Sequence, residues 1–207
     1  MPTILLVRHG ETEFVKKGRL AGRLPGVSLN AHGVEQAQAL AKKFAGASIK
    51  AVYSSPIERA IQTAEPISRE LGLEIIPRQG LIETEIGSWQ NEKVRPLSRT
   101  RIWKVVQNAP SVFRFPGGET FAETQLRISS ELIALSAQHD PKDTFICVSH
   151  ADPIKLAVAY FIGLPLDRFQ RLQVSTCSVT ALQMTEMGGQ LLALNLNGET
   201  SLTVLKS

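Results

Sequence analysis

Runs of apolar residues that stop abruptly at polar ones divide this chain into alternating strand and helix segments. Ile4-Leu5-Leu6-Val7 is four branched apolar residues in a row, the mark of a strand buried on both faces. From Asn30, an N-cap residue, Val34, Ala37, Leu40, Ala41 and Phe44 recur at helical spacing up to Gly46. Lys50 to Ser54 reads as a short second strand. Ser55-Pro56-Ile57-Glu58 then carries a Ser-x-x-Glu capping box and a proline suited to a first helical position. Ile57, Ala60, Ile61, Ala64 and Leu71 form the stripe of the helix it opens. Gly72 suits the cap of that helix, and Pro66 predicts a kink in it.

Glu74 to Pro77 looks like a short edge strand, and Val94 to Asn108 like one helical excursion ending near Pro110. Thr120-x-x-Glu123 is a second capping box. Phe121, Leu126, Ile128, Leu132 and Leu135 give its helix an apolar side running to about Gln138. Thr144 to Ser149 repeats the opening pattern as a buried strand ending on His150. Asp152-Pro153 starts a helix through Ile154, Leu156, Ala157, Phe161 and Ile162 to Gly163. Leu172 to Val204 alternates enough for two or three strands, with a Gly188-Gly189 turn between two of them.

Composition narrows the class without changing this outline. At 207 residues, with no Pro/Gly/Ser-rich linker, one domain is expected. No apolar run reaches the roughly 18 residues of a membrane span, and the amino terminus enters a strand at once, which leaves no room for a signal peptide. Cys147 and Cys177 lack CxxC spacing and read as reduced core thiols. These features together point to a cytoplasmic α/β protein. A net charge of +4 mildly favours anionic partners. Without a Lys/Arg run or aromatic-basic alternation, neither nucleic acid nor a membrane is an expected partner.

Candidate chemistry gathers where strands end. In a continuing strand Arg8 and His9 would face opposite ways, so both can serve one site only if the backbone turns there, as Gly10 permits. Sites in open α/β sheets lie outside the carboxyl ends of strands. His9 and His150 would meet if their strands are neighbours. Arg59 falls in the first turn of a helix, where backbone N–H groups and the helix dipole favour an anion. Glu83 and Glu85 lie two apart in an apolar, aromatic stretch, and a carboxyl beside apolar surface has a raised pKa suited to general acid work. The Gly18–Gly26 loop places Arg19 and Arg23 where they could meet an anionic substrate, but it lacks the GK[ST] ending of a P-loop. His32 and His139 read as a surface and a turn residue without a role.

Leu6-Val7-Arg8-His9-Gly10-Glu11-Thr12 resembles the signature of the histidine phosphatase superfamily, also called the phosphoglycerate mutase-like family. The match continues through Ser54–Ala64, through Leu81-Ile82-Glu83 with Gly87 and Trp89, through Phe115–Thr120, and through Val148-Ser149-His150. These are five motifs in the family's order across about residues 3 to 165. Ala21–Val27, Trp103–Val106 and the Phe115 loop are similar to a bacterial branch of phosphomutases or phosphatases.

The resemblance implies a three-layer α/β/α sandwich with a mostly parallel central sheet and a small helical cap at about residues 86–118. It implies His9 as nucleophile forming a phosphohistidine, and Arg8, Arg59 and His150 as phosphate ligands. Glu83 would protonate the leaving oxygen and then activate water. His9 must be neutral to attack, held by a hydrogen bond from its other ring nitrogen to a carbonyl, whereas His150 can be cationic once phosphate is bound. Thr12, Phe14, Arg19, Arg23, Trp89 and Ala151 are candidate pocket residues. No metal or other cofactor is expected, because two guanidiniums neutralise phosphate oxygens and would repel a dication at His9, His150, Glu83 and Asp152.

The chain departs from the family pattern at Val15, where many members have Asn, and at Ala151, where Gly is usual. It departs again at Glu85 and at Trp89-Gln90-Asn91, where Asp and Trp-Glu-Gly are common. The leading expectation is metal-independent hydrolysis of a small phosphorylated metabolite. A phosphomutase is the alternative, and a non-catalytic phosphate- or phosphoprotein-binding module on the same scaffold is a third.

Overall fold

The computed structural model describes residues 2–185 and 188–197. Its elements are β1 (Thr3–Arg8), α1 (Glu13–Lys16), α2 (Ala31–Lys43), β2 (Val52–Ser54), α3 (Glu58–Leu71), β3 (Ile75–Pro77), α4 (Val94–Leu97), α5 (Arg101–Asn108), α6 (Phe121–Ser136), β4 (Thr144–Ser149), α7 (Ala151–Phe161), β5 (Val179–Thr185) and β6 (Gly188–Leu196). One six-stranded sheet runs in the order β3-β2-β4-β1-β5-β6. The first four in that order are mutually parallel, and β5 and β6 are antiparallel additions.

Period-two alternation in the central strands feeds two separate cores. Ile4, Leu6, Phe145 and Cys147 point to a layer formed by α6 and α7, where Ile128, Leu132, Ile154 and Ala157 cover them. Leu5, Val7, Ile146 and Val148 point the other way, onto Leu40 and Ala41 of α2 and Ala60, Ala64 and Ile67 of α3. Each fully buried leucine or isoleucine contributes about 1.5–3 kcal/mol, so the paired strands β1 and β4 are the best-anchored part of the sheet. The three-layer α/β/α sandwich is therefore observed. Residues 86–118 add a third apolar cluster in which Trp89, Val106, Phe113 and Phe115 pack on Phe121, Leu156 and Phe169.

Several expected elements differ in detail. The Ser55 capping box does not form: Ile57 is extended (φ −69°, ψ 135°), and α3 begins at Glu58 without a side-chain cap. The Thr120–Glu123 box does form. Val34 and Leu126, assigned to apolar stripes, are exposed (42% and 68%), because Gly33 and Thr124 take the inward positions beside them. The helical excursion from Val94 is two helices, the second restarted by the Thr100 hydroxyl accepting from the Trp103 N–H. Gly188 and Gly189 do not form a turn but pair with Thr185 and Met184 as the first residues of β6. A third strand toward Val204 would lie outside the described residues. His139 is not an idle turn residue: its ring stacks on Phe145 and bonds the Tyr53 hydroxyl at 3.0 Å. Among the described residues no helix is long and apolar enough to cross a membrane.

Candidate active site

β1 and β4 are parallel neighbours with Arg8 opposite Ser149, so the residues after each strand leave the sheet side by side. The His9 N–H donates to the Ser149 carbonyl at 3.0 Å, and the rings of His9 and His150 stand 5.2 Å apart, centre to centre. Gly10 serves a close approach rather than a left-handed turn. A Cβ there would lie 2.7 Å from the Gly33 carbonyl oxygen, where the loop crosses the first turn of α2. The Gly10 N–H is tied to Thr63 Oγ1 at 3.0 Å, joining the loop to α3.

Arg59 projects from the first turn of α3 and is the largest fully buried side chain among the described residues. Its Nε–H donates to His9 Nε2 at 3.2 Å, and its Nη2 donates to the Gly22 carbonyl at 2.8 Å and to His150 Nδ1 at 3.2 Å. Nη1 is buried without a partner. Arg8 repeats the pattern from β1, with Nη1 donating to the Val174 carbonyl at 2.7 Å and Nε buried and unpaired. Arg59 is fully buried and Arg8 half-buried, and each keeps a buried N–H unspent, an arrangement suited to an anion, since an orphaned charged donor is costly until an acceptor arrives.

The hydrogen bonds also fix the imidazoles. His9 Nδ1–H donates to the Gly10 carbonyl at 2.7 Å, leaving the Nε2 lone pair toward the pocket, the arrangement a nucleophile needs. Burial, reinforced by Arg59 and Arg8, holds His9 well below the usual histidine range and hence neutral. His150 accepts at Nδ1 from Arg59 and donates from Nε2 to Ser55 Oγ at 2.8 Å. Burial and the charge of Arg59 hold it neutral too in the absence of an anion.

Glu83 Oε2 lies 3.8 Å from His150 Nδ1. Burial first, and then the charge of Asp152, raise its carboxyl to about 7 against the opposing pull of Arg59 and Arg8. With His150 neutral and Glu83 half-protonated near neutrality, their contact is not an ion pair. The chain around Glu83 is held from behind. Arg127 of α6 donates from Nη1 to the carbonyls of Gly80 (3.1 Å) and Ile82 (2.8 Å), and from Nη2 to Glu119 at 3.0 Å. Arg23 Nε donates to the Glu83 carbonyl at 2.8 Å, and its Nη2 meets Glu119 at 2.9 Å. A carboxyl whose backbone is clamped by two arginines keeps its aim through a reaction cycle.

Arg8, His9, Arg59 and Glu83 line a pocket of about 170 Å³, along with Thr12, Arg19 and Ala151 from the candidate pocket set, and fully buried His150 lies behind that lining. Val15 lines it as well. Three candidates lie elsewhere. Arg23 is turned into the clamp on Glu83 and Glu119. Phe14 lies under the Arg19 guanidinium at 5.6 Å and does not line the pocket. Trp89 packs among Trp103, Phe113 and Phe115 in the aromatic cluster. Arg19 itself is committed to the Asn91 carbonyl through Nε and Nη2. Residue reading missed Ser55, taken for a helix cap, and Arg127, which looks like any surface-facing helical arginine until its carbonyl partners are in place. A larger cleft of about 360 Å³ lies by Gln36, Lys43, Ser175 and Asn197, and neither histidine lines it.

Paired strand-end histidines beside Arg8 and Arg59, with a carboxyl poised near neutrality, are the groups that phosphoryl transfer calls for. The chain belongs to the histidine phosphatase superfamily, branch 1, whose family model matches residues 4–197. Among relatives, it is 29% identical to phosphoserine phosphatase 1 of Hydrogenobacter thermophilus, over 95% of this chain and 93% of that one. It is 30% identical to the "probable phosphoglycerate mutase GpmB" of Proteus mirabilis, over 87% of this chain and 84% of that one. Its fold matches phosphoserine phosphatase from Entamoeba histolytica, solved with 3-phosphoglyceric acid, at a TM-score of 0.86 and 24% identity, covering 95% and 98% of the two chains. The relatives are phosphatases and phosphomutases, and this chain is an enzyme of their superfamily.

Proposed function

We propose that the protein is a metal-independent phosphatase that hydrolyses a small phosphomonoester through a phosphohistidine at His9. The observation that carries this reading is the neutral His9 Nε2 lone pair held beside the unspent N–H groups of Arg8 and Arg59. A phosphate entering the pocket would take up those donors and draw the Arg59 guanidinium off Nε2, which frees the lone pair to attack phosphorus. Charge on the three transferring oxygens is met by two guanidiniums and by His150, whose proton affinity rises as the anion replaces bare positive neighbours. As the P–O bond breaks, Glu83 in its acid form gives its proton to the leaving alcohol. As a carboxylate it then takes a proton from the water that attacks the phosphohistidine, returning His9 and releasing phosphate. A resident divalent metal fits poorly against two guanidiniums in one small pocket.

Residues 86–118 are the segment we assign as a cap on a single catalytic domain. The likeness to a phosphoglycerate mutase keeps one competitor in view. Hydrolysis of an aryl phosphate in excess chelator, with His9→Ala alongside, tests the reading. Turnover that survives the chelator and disappears in the variant supports it, and turnover that persists in the variant refutes it. Interconversion of phosphoglycerates without released phosphate would replace hydrolysis by mutase chemistry.

A further inference from the structure

A second cavity, of about 180 Å³, adjoins the catalytic pocket, and the two share Leu20, Ile86 and Asp152 as lining. Beyond that shared wall its surface is Trp89, Trp103, Val106, Phe115 and Phe121, with the neutral amides of Gln107 and Gln170. Trp89 and Trp103 stack at 6.1 Å with planes only 14° apart, which presents a flat wall. Among the described residues no Lys, Arg or His lines it, and Asp152 at the junction is the one charged lining residue. Lys155 behind the wall is already shared between Asp152 (3.6 Å) and Gln170 (3.3 Å). An apolar cavity of roughly 150 Å³ is enough to hold a benzene ring. A carboxylate placed here would lose water, meet Asp152 and find no free cation.

Position links this annex to the reaction. Glu83 and Ile86 belong to one short loop, and Ile86 lines both the catalytic pocket and the annex. A second neighbour of the pocket is different: Arg19 also borders a cleft with Lys17, Lys93 and Arg95. Lys17 is paired with Glu13 and Arg19 with the Asn91 carbonyl, so that side offers less free charge than its composition suggests.

We propose that the aromatic annex is the leaving-group subsite, and that the preferred substrates are phosphomonoesters of apolar or aromatic alcohols rather than of small acids such as serine or glycerate. This rests on the phosphatase reading above. Filling such a pocket with one well-placed apolar group is worth about 10–200-fold in kcat/KM.

Both tryptophans of the chain line the annex, so intrinsic fluorescence reports its occupancy directly. Titration with benzylphosphonate should change the emission, and inorganic phosphate should leave it nearly unaltered. In steady state, benzyl phosphate should exceed phosphoserine at least about tenfold in kcat/KM. Gln107→Arg, at an exposed rim position, should move that ratio about tenfold toward phosphoserine. Phosphoserine as the better substrate, or benzylphosphonate that inhibits or binds without altering tryptophan emission, would overturn the annex and send the leaving group to the Arg19 side. Absence of turnover on every ester would count against the phosphatase reading alone, because the fluorescence titration reads the annex without catalysis.

Discussion

The strand-end pocket and the 86–118 segment are built on opposite principles, although Glu83 and Ile86 are three residues apart. In the pocket, charge is buried and pinned: Arg59 is 1% exposed and bonded to three partners, and both imidazoles have fixed tautomers. In the segment, aromatic rings pack on one another, and the exposed arginines Arg95, Arg99 and Arg101 stay outside that cluster. The pocket's architecture answers to a phosphoryl group that is the same in every substrate. In the proposed reading the segment answers to whatever is attached to it. Substitutions in the pocket should therefore depress all substrates alike, and substitutions in the segment should change their ranking.

The largest break in that contrast comes from removing the nucleophile. His9→Ala should lower turnover of every phosphomonoester by at least about 10⁴-fold while phosphate still binds, as checked by single-turnover assays and phosphate titration. Arg59→Met should follow, at about 10²–10³-fold, again uniformly across substrates, and with weaker phosphate binding as well. A substrate-selective loss in either variant would erase the distinction between the two regions.

Glu83→Gln sharpens it. The expected loss of turnover is about 10²–10⁴-fold on alkyl esters, with phosphate affinity retained. Because Glu83 acts first as an acid, kcat/KM for alkyl esters should fall as pH rises through about 7, and that limb should vanish in the variant. Stability moves with it. The folded protein keeps the Glu83 proton up to about 7, whereas the unfolded chain loses it near the ordinary carboxyl value, so stability declines across that window as pH rises. Above the window Glu83→Gln should be the more stable protein, by about 1–3 kcal/mol in denaturant titration. The smallest effect is expected from Arg127→Ala, which leaves the carbonyls of Gly80 and Ile82 unpaired. It should cost about 1–3 kcal/mol of stability. It should also lower kcat with little change in KM and shift the Glu83 limb of the pH profile, which a purely structural arginine would not do.

How much was legible in the residues follows the same divide. Arg8, His9, Arg59, Glu83 and His150 stand out as candidates because each sits at a strand end, in a helix's first turn or in an apolar stretch, and local spacing encodes those positions. Their convergence depended on one non-local fact, the pairing of β1 with β4, which two strands ending on histidine already suggested. The spacing of Ser55 to Glu58 imitates a capping box, but the extended Ile57 delays the helix, and the hydroxyl meets the Ile57 N–H and His150 Nε2 instead. Arg23 and Arg127 act through backbone carbonyls brought together by tertiary structure, and carbonyls leave no trace in composition. Phe14 and Arg23 were plausible pocket residues by type, but packing turned both away from the catalytic pocket, whereas Trp89 lines the cavity that adjoins it.

The proposed chemistry requires a covalent phosphoryl group on His9. The direct measurement is rapid quenching of enzyme turning over a phosphomonoester, under alkaline conditions, followed by intact mass and peptide mapping. One added phosphoryl group, located on His9, lost in acid and absent from His9→Ala, is the predicted result. Burst-free turnover with no phosphorylated enzyme at any quench time, or a phosphoryl group on another residue, would contradict it.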